Sequence, residues 1–552
     1  FLSSLVEKGQ PFNLRNLALR MKKAPVPPGN YSSLKATAQN LFFTHRELTG
    51  SKQSSLRAFK IDPNPGAVRS ILNNVSSLSL SLDRKKVLAK TNGNVYVFDG
   101  SIAAGITASA AQVKLNNWTF SVDPREEWRQ MFVDAWRMER DYFYDRGLHG
   151  VDWQRELDRH LPLVDRVTDR SELSDLLTQI VGELEALHIF VTGGDVRKAS
   201  DDVKSGSLGV RVVRDENAGG YRISHIPEWD PDYPEEAPAL LKADPDVRVG
   251  DVLLEVDGVR VLDVAHPALL LRNKVGQNVL LKIRLTEPNV ERPVLVKTIS
   301  TGEDSNLHYN EWEYTRRQEV EQKGESEIGY IHLRAMGTSD MNAWVRQFFP
   351  VYRRQGLIID VRYNNGGNID SWILNRLLRK AWFFWQPRVG QSTWNMHYAY
   401  RGHVVVLCNE WTASDGEAFT EGAKRLGIAT VIGTRTWGGE IWLSRNNPLV
   451  DGGIATAAQT GVFGPEGKWL IEGHGVDPDF VVDNLPHETF KGRDRQLEAA
   501  IDFLKKKIDE DPYVTPAPPP YYRRPDSPEP EFPEPPPVPE PREADVMPIA
   551  GD

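Results

Sequence analysis

The chain has 552 residues, too many for a single hydrophobic core, so length alone argues for roughly three to five domains. With 40% hydrophobic and 26% charged residues it reads as an ordinary soluble globular protein, and no apolar run approaches the roughly 18 residues needed to span a bilayer. A net charge of -9 offers no basic stripe for phosphates, which argues against nucleic acid as a partner. The single cysteine, Cys408, excludes an internal disulfide; it sits in the apolar run Val404 to Leu407 as a buried thiol, and a reducing, cytoplasmic location is expected. The chain opens at Phe1 with neither an initiator Met nor a signal-peptide pattern, so the native start is expected upstream.

Residues 35–100 hold short alternating segments such as Leu41-Phe42-Phe43 and Val95-Tyr96-Val97-Phe98, separated by turn signals including Asn92-Gly93. They read as blades at the end of a β-propeller, assigned to residues 1–115, or as a small separate sheet. At Asp123-Pro124-Arg125-Glu126 an N-cap candidate, a helix-opening proline and an early Glu start a helix with the stripe Trp128, Phe132, Ala135 and Trp136. A second helix is expected from about Ser171, its apolar stripe running through Leu173, Leu177, Ile180 and Leu184 to Leu187, within a helical domain over 116–198.

Residues 199–303 contain Gly206-Ser207-Leu208-Gly209 and Val247 to Gly258 amid alternating strands, a pattern similar to a PDZ domain, whose sheet edge captures extended peptides. From 304 to 510 the pattern becomes α/β: buried strands at Ile328 to Leu333, Leu357 to Val361, Val404 to Cys408 and Thr430 to Gly433, closed by a helix over Arg493 to Lys507. Residues 511–552 are rich in Pro and Glu and read as a disordered tail. The fold class expected is therefore multidomain α+β: partial propeller, helical domain, PDZ-like domain and α/β domain.

Chemistry concentrates in loops after the α/β strands. Ser414, in Ala413-Ser414-Asp415-Gly416-Glu417, sits at a strand-to-helix turn, where a hydroxyl is presented above the sheet and helix N–H groups can receive an oxyanion. The same Ser-x-x-Glu spacing is also a capping box that needs no catalysis. Gly366-Gly367, after Asp360-Val361-Arg362, permit close backbone approach to a ligand or only a tight turn. Thr434-Arg435-Thr436-Trp437-Gly438-Gly439 forms another Gly-rich loop.

The succession of PDZ-like unit, Gly329-Tyr330-Ile331-His332-Leu333, the Asp-Val-Arg-x-Asn-x-Gly-Gly loop, the Ser-Asp-Gly turn and Gly-Thr-Arg-Thr-Trp-Gly-Gly resembles the peptidases that include carboxy-terminal processing proteases and tricorn. The former use a lysine base, which is not visible here. Gly182-Glu183-Leu184 followed by His188 matches the tricorn pattern instead. The resemblance implies Ser414 as nucleophile, His188 as general base, Glu472 as orienting carboxylate, and backbone N–H groups of Gly366 and Asp415 as oxyanion donors. Taken alone, His188 reads more readily as a core histidine on an apolar helix. The resemblance further implies peptide or unfolded-protein substrates, a closed homo-oligomer such as a hexamer, and no metal or organic cofactor.

Two positions break the pattern. Leu187 stands where the family has a serine relaying between imidazole and carboxylate, and Trp385 stands where an aspartate is expected to read basic side chains. Trp385 then lines an apolar specificity pocket or belongs to the core. The rival readings are a carboxy-terminal processing protease with another base, and a PDZ scaffold that has lost catalysis.

Overall fold

The computed structural model describes residues 24–526, apart from Pro25, 48–53, 63–65, 102–110, Asn116, Lys198, Ser200, 445–447, Tyr521 and Arg523. The chain divides into two compact units, residues 1–122 and 123–552. Most of the Pro- and Glu-rich segment lies outside the described residues.

The first unit consists of two four-stranded antiparallel sheets. One joins β1 (Asn30–Ala36), β2 (Asn40–Arg46), β3 (Ser54–Lys60) and β4 (Arg69–Leu72). The other joins β5 (Val75–Leu80), β6 (Lys86–Thr91), β7 (Asn94–Asp99) and β8 (Gln112–Val113). The expected Asn92-Gly93 turn links β6 to β7, with both residues at positive φ, as a tight hairpin demands. Alternate residues of both sheets share one core, including Phe42, Leu56, Ala58, Leu78, Val87 and Phe98. Two consecutive four-stranded meanders are the form of a partial propeller.

The second unit begins with α1 (Pro124–Tyr142), capped as expected: the Asp123 carboxylate accepts from Arg125 N–H at 3.0 Å, a bond worth about 1 kcal/mol. With α2 (Trp153–His160) and α3 (Arg170–Gly182) it encloses Phe132, Trp136, Trp153, Leu173, Leu177 and Ile180. The expected continuation of α3 to Leu187 does not occur. The helix stops at Gly182, Glu185 adopts φ 50°, and Leu187 is 41% exposed, so it is not part of the buried stripe. The freed segment turns back into β9 (Val191–Thr192), which pairs with Ile454–Ala455.

The PDZ-like sheet has the antiparallel order β10 (Arg211–Asp215), β11 (Gly220–His225), β12 (Val252–Val256), β13 (Asn278–Leu285) and β14 (Val290–Lys297). Its period-two pattern buries Tyr221, Ile223, Leu253, Val279, Leu281, Ile283 and Val296 on one face. A long helix, α4 (Thr301–Lys323), opened by a Ser300/Glu303 capping box, leads into the next domain.

That domain is a five-stranded parallel sheet in sequential order: β15 (Ile328–His332), β16 (Gly356–Asp360), β17 (His403–Cys408), β18 (Thr430–Gly433) and β19 (Phe480–Val481). Strands buried on both faces sort their residues by parity. Ile331, Ile359, Val404, Val406 and Val431 meet α5 (Thr338–Val351), α6 (Asp370–Leu377) and α7 (Asp415–Arg425). Tyr330, Ile358, Val405, Leu407 and Ile432 meet Val320 of α4 and Leu497, Ile501 and Leu504 of α8 (Arg495–Glu510). The continuous apolar runs seen in the sequence follow from this two-sided burial. Every loop singled out for chemistry leaves a carboxyl end of these strands, the usual ligand-binding edge of a parallel sheet.

Candidate active site

The loop after β16 is set by a buried ionic network. Arg362, 2% exposed, donates to Asp360 at 2.6 Å and to Asp494, the N-cap of α8, at 2.8 Å. Buried guanidinium is costly unless paired on several sides, and here two carboxylates and Gln496 Oε1 at 3.1 Å surround it. The fully buried Asn364 then fixes the glycine turn. Its Nδ2 donates to Leu333 O at 2.8 Å, its Oδ1 accepts from Gly366 N–H at 2.8 Å, and its backbone O accepts from Ala413 N–H at 2.8 Å. A Cβ on Gly366, at φ 80°, would lie 2.5 Å from Ser414 Cβ and 3.0 Å from its Oγ. Only glycine fits so close to the serine.

Ser414 itself is held at φ 56°, ψ −127°, a strained conformation for a residue with a side chain. It occupies the N-cap of α7, yet only half a capping box forms: Glu417 accepts from Ser414 N–H at 3.0 Å, while Glu417 N–H bonds the Ser414 carbonyl at 2.7 Å rather than Oγ. The hydroxyl makes no cap hydrogen bond, so the helix-cap reading does not account for it. The Glu417 carboxylate also accepts from Thr436 Oγ1 at 2.6 Å, Gly438 N–H at 2.7 Å and Gly439 N–H at 2.9 Å. One buried carboxylate thus ties the serine turn to the Gly-rich loop after β18, a role the Ser-x-x-Glu spacing alone did not reveal.

The two expected oxyanion donors differ. Among the described residues Asp415 N–H, at the first position of α7, meets no protein acceptor, whereas Gly366 N–H is already engaged by Asn364. In the same turn Met336 N–H bonds Gly366 O and Asn368 N–H bonds Met336 O, while Gly367 N–H, of a residue that lines the cleft with Ser414, meets no acceptor among the described residues.

His188 lies in the segment after α3, pinned on both sides. Leu187 N–H donates to Glu472 Oε1 at 3.0 Å, and Phe190 N–H donates to Thr456 Oγ1 at 2.8 Å. The imidazole is 9% exposed, edge-on to Phe190 and Trp437 at 5.5 and 5.8 Å. Its Nδ1 is buried without a partner. Burial holds its pKa below the ordinary value, opposed by the Ile441 backbone and the Glu472 charge. Glu472 does not bond the ring; its other oxygen accepts from Glu440 N–H at 2.7 Å and Ile441 N–H at 3.1 Å.

His188 and Ser414 line one cleft of about 940 Å³, together with Gly366, Gly367, Phe190, Trp411, Trp437 and Trp442. Trp385 is not among the lining residues. It lies on the hairpin Phe384–Trp385/Thr393–Trp394, stacked on His397 at 5.2 Å. The aromatic wall comes instead from Trp411 in the loop after β17, Trp437 in the loop after β18, and Trp442, which opens a short strand (Trp442–Ser444).

Behind the serine, carboxyl groups cluster with no Lys or Arg partner among the described residues. Asp415 Oδ2 accepts from Ile369 and Asp370 N–H, and burial with the neighbouring Asp370 charge pushes its pKa up to about 7. Burial and the surrounding acids, Glu417 first, push Glu440 up to about 10, which keeps it protonated at neutrality.

Comparison with known proteins agrees with this layout. Residues 124–182 match the tricorn protease C1 domain, 206–301 the tricorn protease PDZ domain, and 327–482 peptidase family S41. The chain is 31% identical over 525 residues to tricorn protease homolog 1 of Streptomyces coelicolor, covering 91% of this chain and 48% of that protein. It is 27% identical over 517 residues to the tricorn protease of Thermoplasma acidophilum, covering 92% and 47%. The crystal structure of the tricorn protease superposes with a TM-score of 0.81 at 24% identity, over 92% of this chain and 49% of that one, which shows the fold. The chain spans about half the length of the curated relatives it matches. In this order the chain carries a tricorn-type C1 domain, a tricorn-type PDZ domain and a peptidase family S41 domain.

Proposed function

We propose that this chain is a serine peptidase that cleaves peptides or unfolded polypeptides through an acyl-enzyme on Ser414. The observation that carries the reading is a strained serine, its Oγ released from helix capping, sharing a cleft with a desolvated histidine. In this reaction the Ser414 Oγ attacks the scissile carbonyl while His188 takes its proton. His188 then returns that proton to the leaving amine as the carbon–nitrogen bond breaks, and water repeats the sequence to free the acid. Asp415 N–H receives the developing oxyanion, with Gly367 N–H as its partner in place of the engaged Gly366. Glu472 holds the backbone of the histidine segment and favours imidazolium by charge. The PDZ-like domain presents a sheet edge suited to extended peptide. Assembly into a closed homo-oligomer, such as a hexamer, belongs to the same proposal.

A fluorophosphonate probe tests it. Covalent labelling of the wild type, lost in Ser414→Ala and slowed by orders of magnitude in His188→Ala, is expected. Labelling that persists in folded Ser414→Ala would remove the assignment. Labelling at full rate in His188→Ala would favour a different base.

A further inference from the structure

Outside the cleft, one cluster combines the residue types and spacing of a metal centre. His308 and Glu311 stand three apart on α4 and so share a helix face. His225 ends β11 of the PDZ-like sheet, 86 positions before Glu311. His225 Nε2 lies 2.9 Å from the Glu311 carboxylate, and His308 Nδ1 lies 3.6 Å from Glu311 Oε2. One potential ligand atom from each of the three residues lies within 4.8 Å of the others. Tetrahedral zinc, with bonds of about 2.0–2.1 Å, sets its ligand atoms roughly 3.3 Å apart, and the two measured edges straddle that value.

The surroundings favour a cation over a simple ion pair. Among the described residues Glu311 has no Lys or Arg partner; only the two imidazoles face it. The carboxylate is already oriented, since Glu228 N–H donates to its Oε1 at 3.0 Å, the outer contact that fixes a metal ligand. The side chains of His225, His308 and Glu311 are 46%, 25% and 17% exposed, leaving room for a water as fourth ligand. A second trio, Glu156, His160 and Glu183, lacks these features: Arg159 bridges both carboxylates at 3.2 Å, and His160 Nδ1 is taken by the Glu156 carbonyl.

We infer that His225, His308 and Glu311 bind a zinc-type divalent cation, which clips the PDZ-like sheet to α4. None of the three lines the Ser414 cleft, so the metal is structural and takes no part in hydrolysis. The ion would fix the orientation of the peptide-capturing domain on the helix that enters the catalytic sheet. The cluster is not legible in the sequence, because His225 lies 86 positions before Glu311 on a separate element.

The test uses the full chain without a polyhistidine tag, stripped with a chelator and titrated with Co²⁺ and then Zn²⁺. One equivalent of Co²⁺ should give the visible absorption of a tetrahedral site, displaced by Zn²⁺. Glu311→Gln, which preserves shape, and His308→Ala should each weaken binding by about 100-fold or more, while Glu156→Gln leaves it unchanged. Zn²⁺ should raise the melting temperature of the wild type and not of Glu311→Gln. Near-UV circular dichroism establishes that the variants are folded. Absence of stoichiometric binding in the wild type, or undiminished binding in both ligand variants, overturns the inference without bearing on the peptidase reading.

Discussion

Replacing Glu472 by Gln measures what the carboxylate does for His188, and the geometry sets the size of the effect. A carboxylate bonded directly to the imidazole of a Ser-His-acid system is worth about four powers of ten in kcat. Here the oxygens accept from three backbone N–H groups, of Leu187, Glu440 and Ile441, and the ring receives only charge across space. Charge-assisted hydrogen bonds contribute about 1.5–3 kcal/mol each, and Gln retains one acceptor oxygen, so stability should fall by roughly 2–4 kcal/mol. Only the part of this felt by the imidazolium in the transition state lowers kcat, and we expect a loss of about 10- to 100-fold. Burial lowers the His188 pKa and Glu472 opposes that shift, so removing the charge lowers the pKa further. The acid limb of kcat/KM against pH should therefore move to lower pH while the plateau drops. The assay is hydrolysis of a fluorogenic peptide across pH, paired with urea unfolding. A loss near four powers of ten, or an acid limb that stays in place, would refute the argument that Glu472 acts through backbone and field.

Because Leu187 is exposed, Leu187→Ser should cost less than about 0.5 kcal/mol, and a hydroxyl on the residue before His188, whose Nδ1 has no partner, should raise kcat several-fold; a folded variant that is no faster than the parent removes the relay argument, and Glu472→Gln should erase any gain. None of the described residues lining the cleft is Asp or Glu, so a matched peptide series should favour an apolar or aromatic residue before the cleaved bond, and a preference for Arg would refute that reading of the pocket. Glu139, fully buried in α1 with both oxygens unpartnered, has its pKa pushed up to about 8 by burial, so the unfolded chain holds fewer protons than the native one between about pH 4.5 and 8 and stability falls as pH rises through that window. Glu139→Gln should remove about 3 kcal/mol of that fall between pH 5 and pH 8 in denaturant titrations; parallel curves for both proteins would refute it.

The elements governed by local pattern were legible from sequence. The Asp123 cap, the Asn92-Gly93 hairpin and the four apolar strands of the parallel sheet each carry their signal within a few residues. The end of α3 was not, because Leu184 and Leu187 keep helical spacing while the backbone leaves the helix at Gly182; tertiary anchors at Glu472 and Thr456 override periodicity there. In the site, Ser414 and His188 were visible through the resemblance. The engagement of Gly366 N–H by Asn364 was not, since it depends on the turn conformation of a loop whose residue types leave that conformation open, and the bridging by Glu417 and the tryptophan wall were not, since they join residues of separate loops.

The Asp360–Arg362–Asp494 network has a consequence for how the enzyme is made. Arg362 anchors the glycine turn beside the serine, but its second carboxylate belongs to the helix that ends the catalytic domain, and that helix also covers Tyr330, Ile358, Val405 and Leu407. A nascent chain that has reached Ser414 and even Glu472 therefore holds every residue proposed for catalysis yet neither a covered sheet nor a fixed glycine turn. The site can set only once residues near 494–504 have emerged and docked, so a chain cut short before α8 should leave the glycine turn beside Ser414 unfixed.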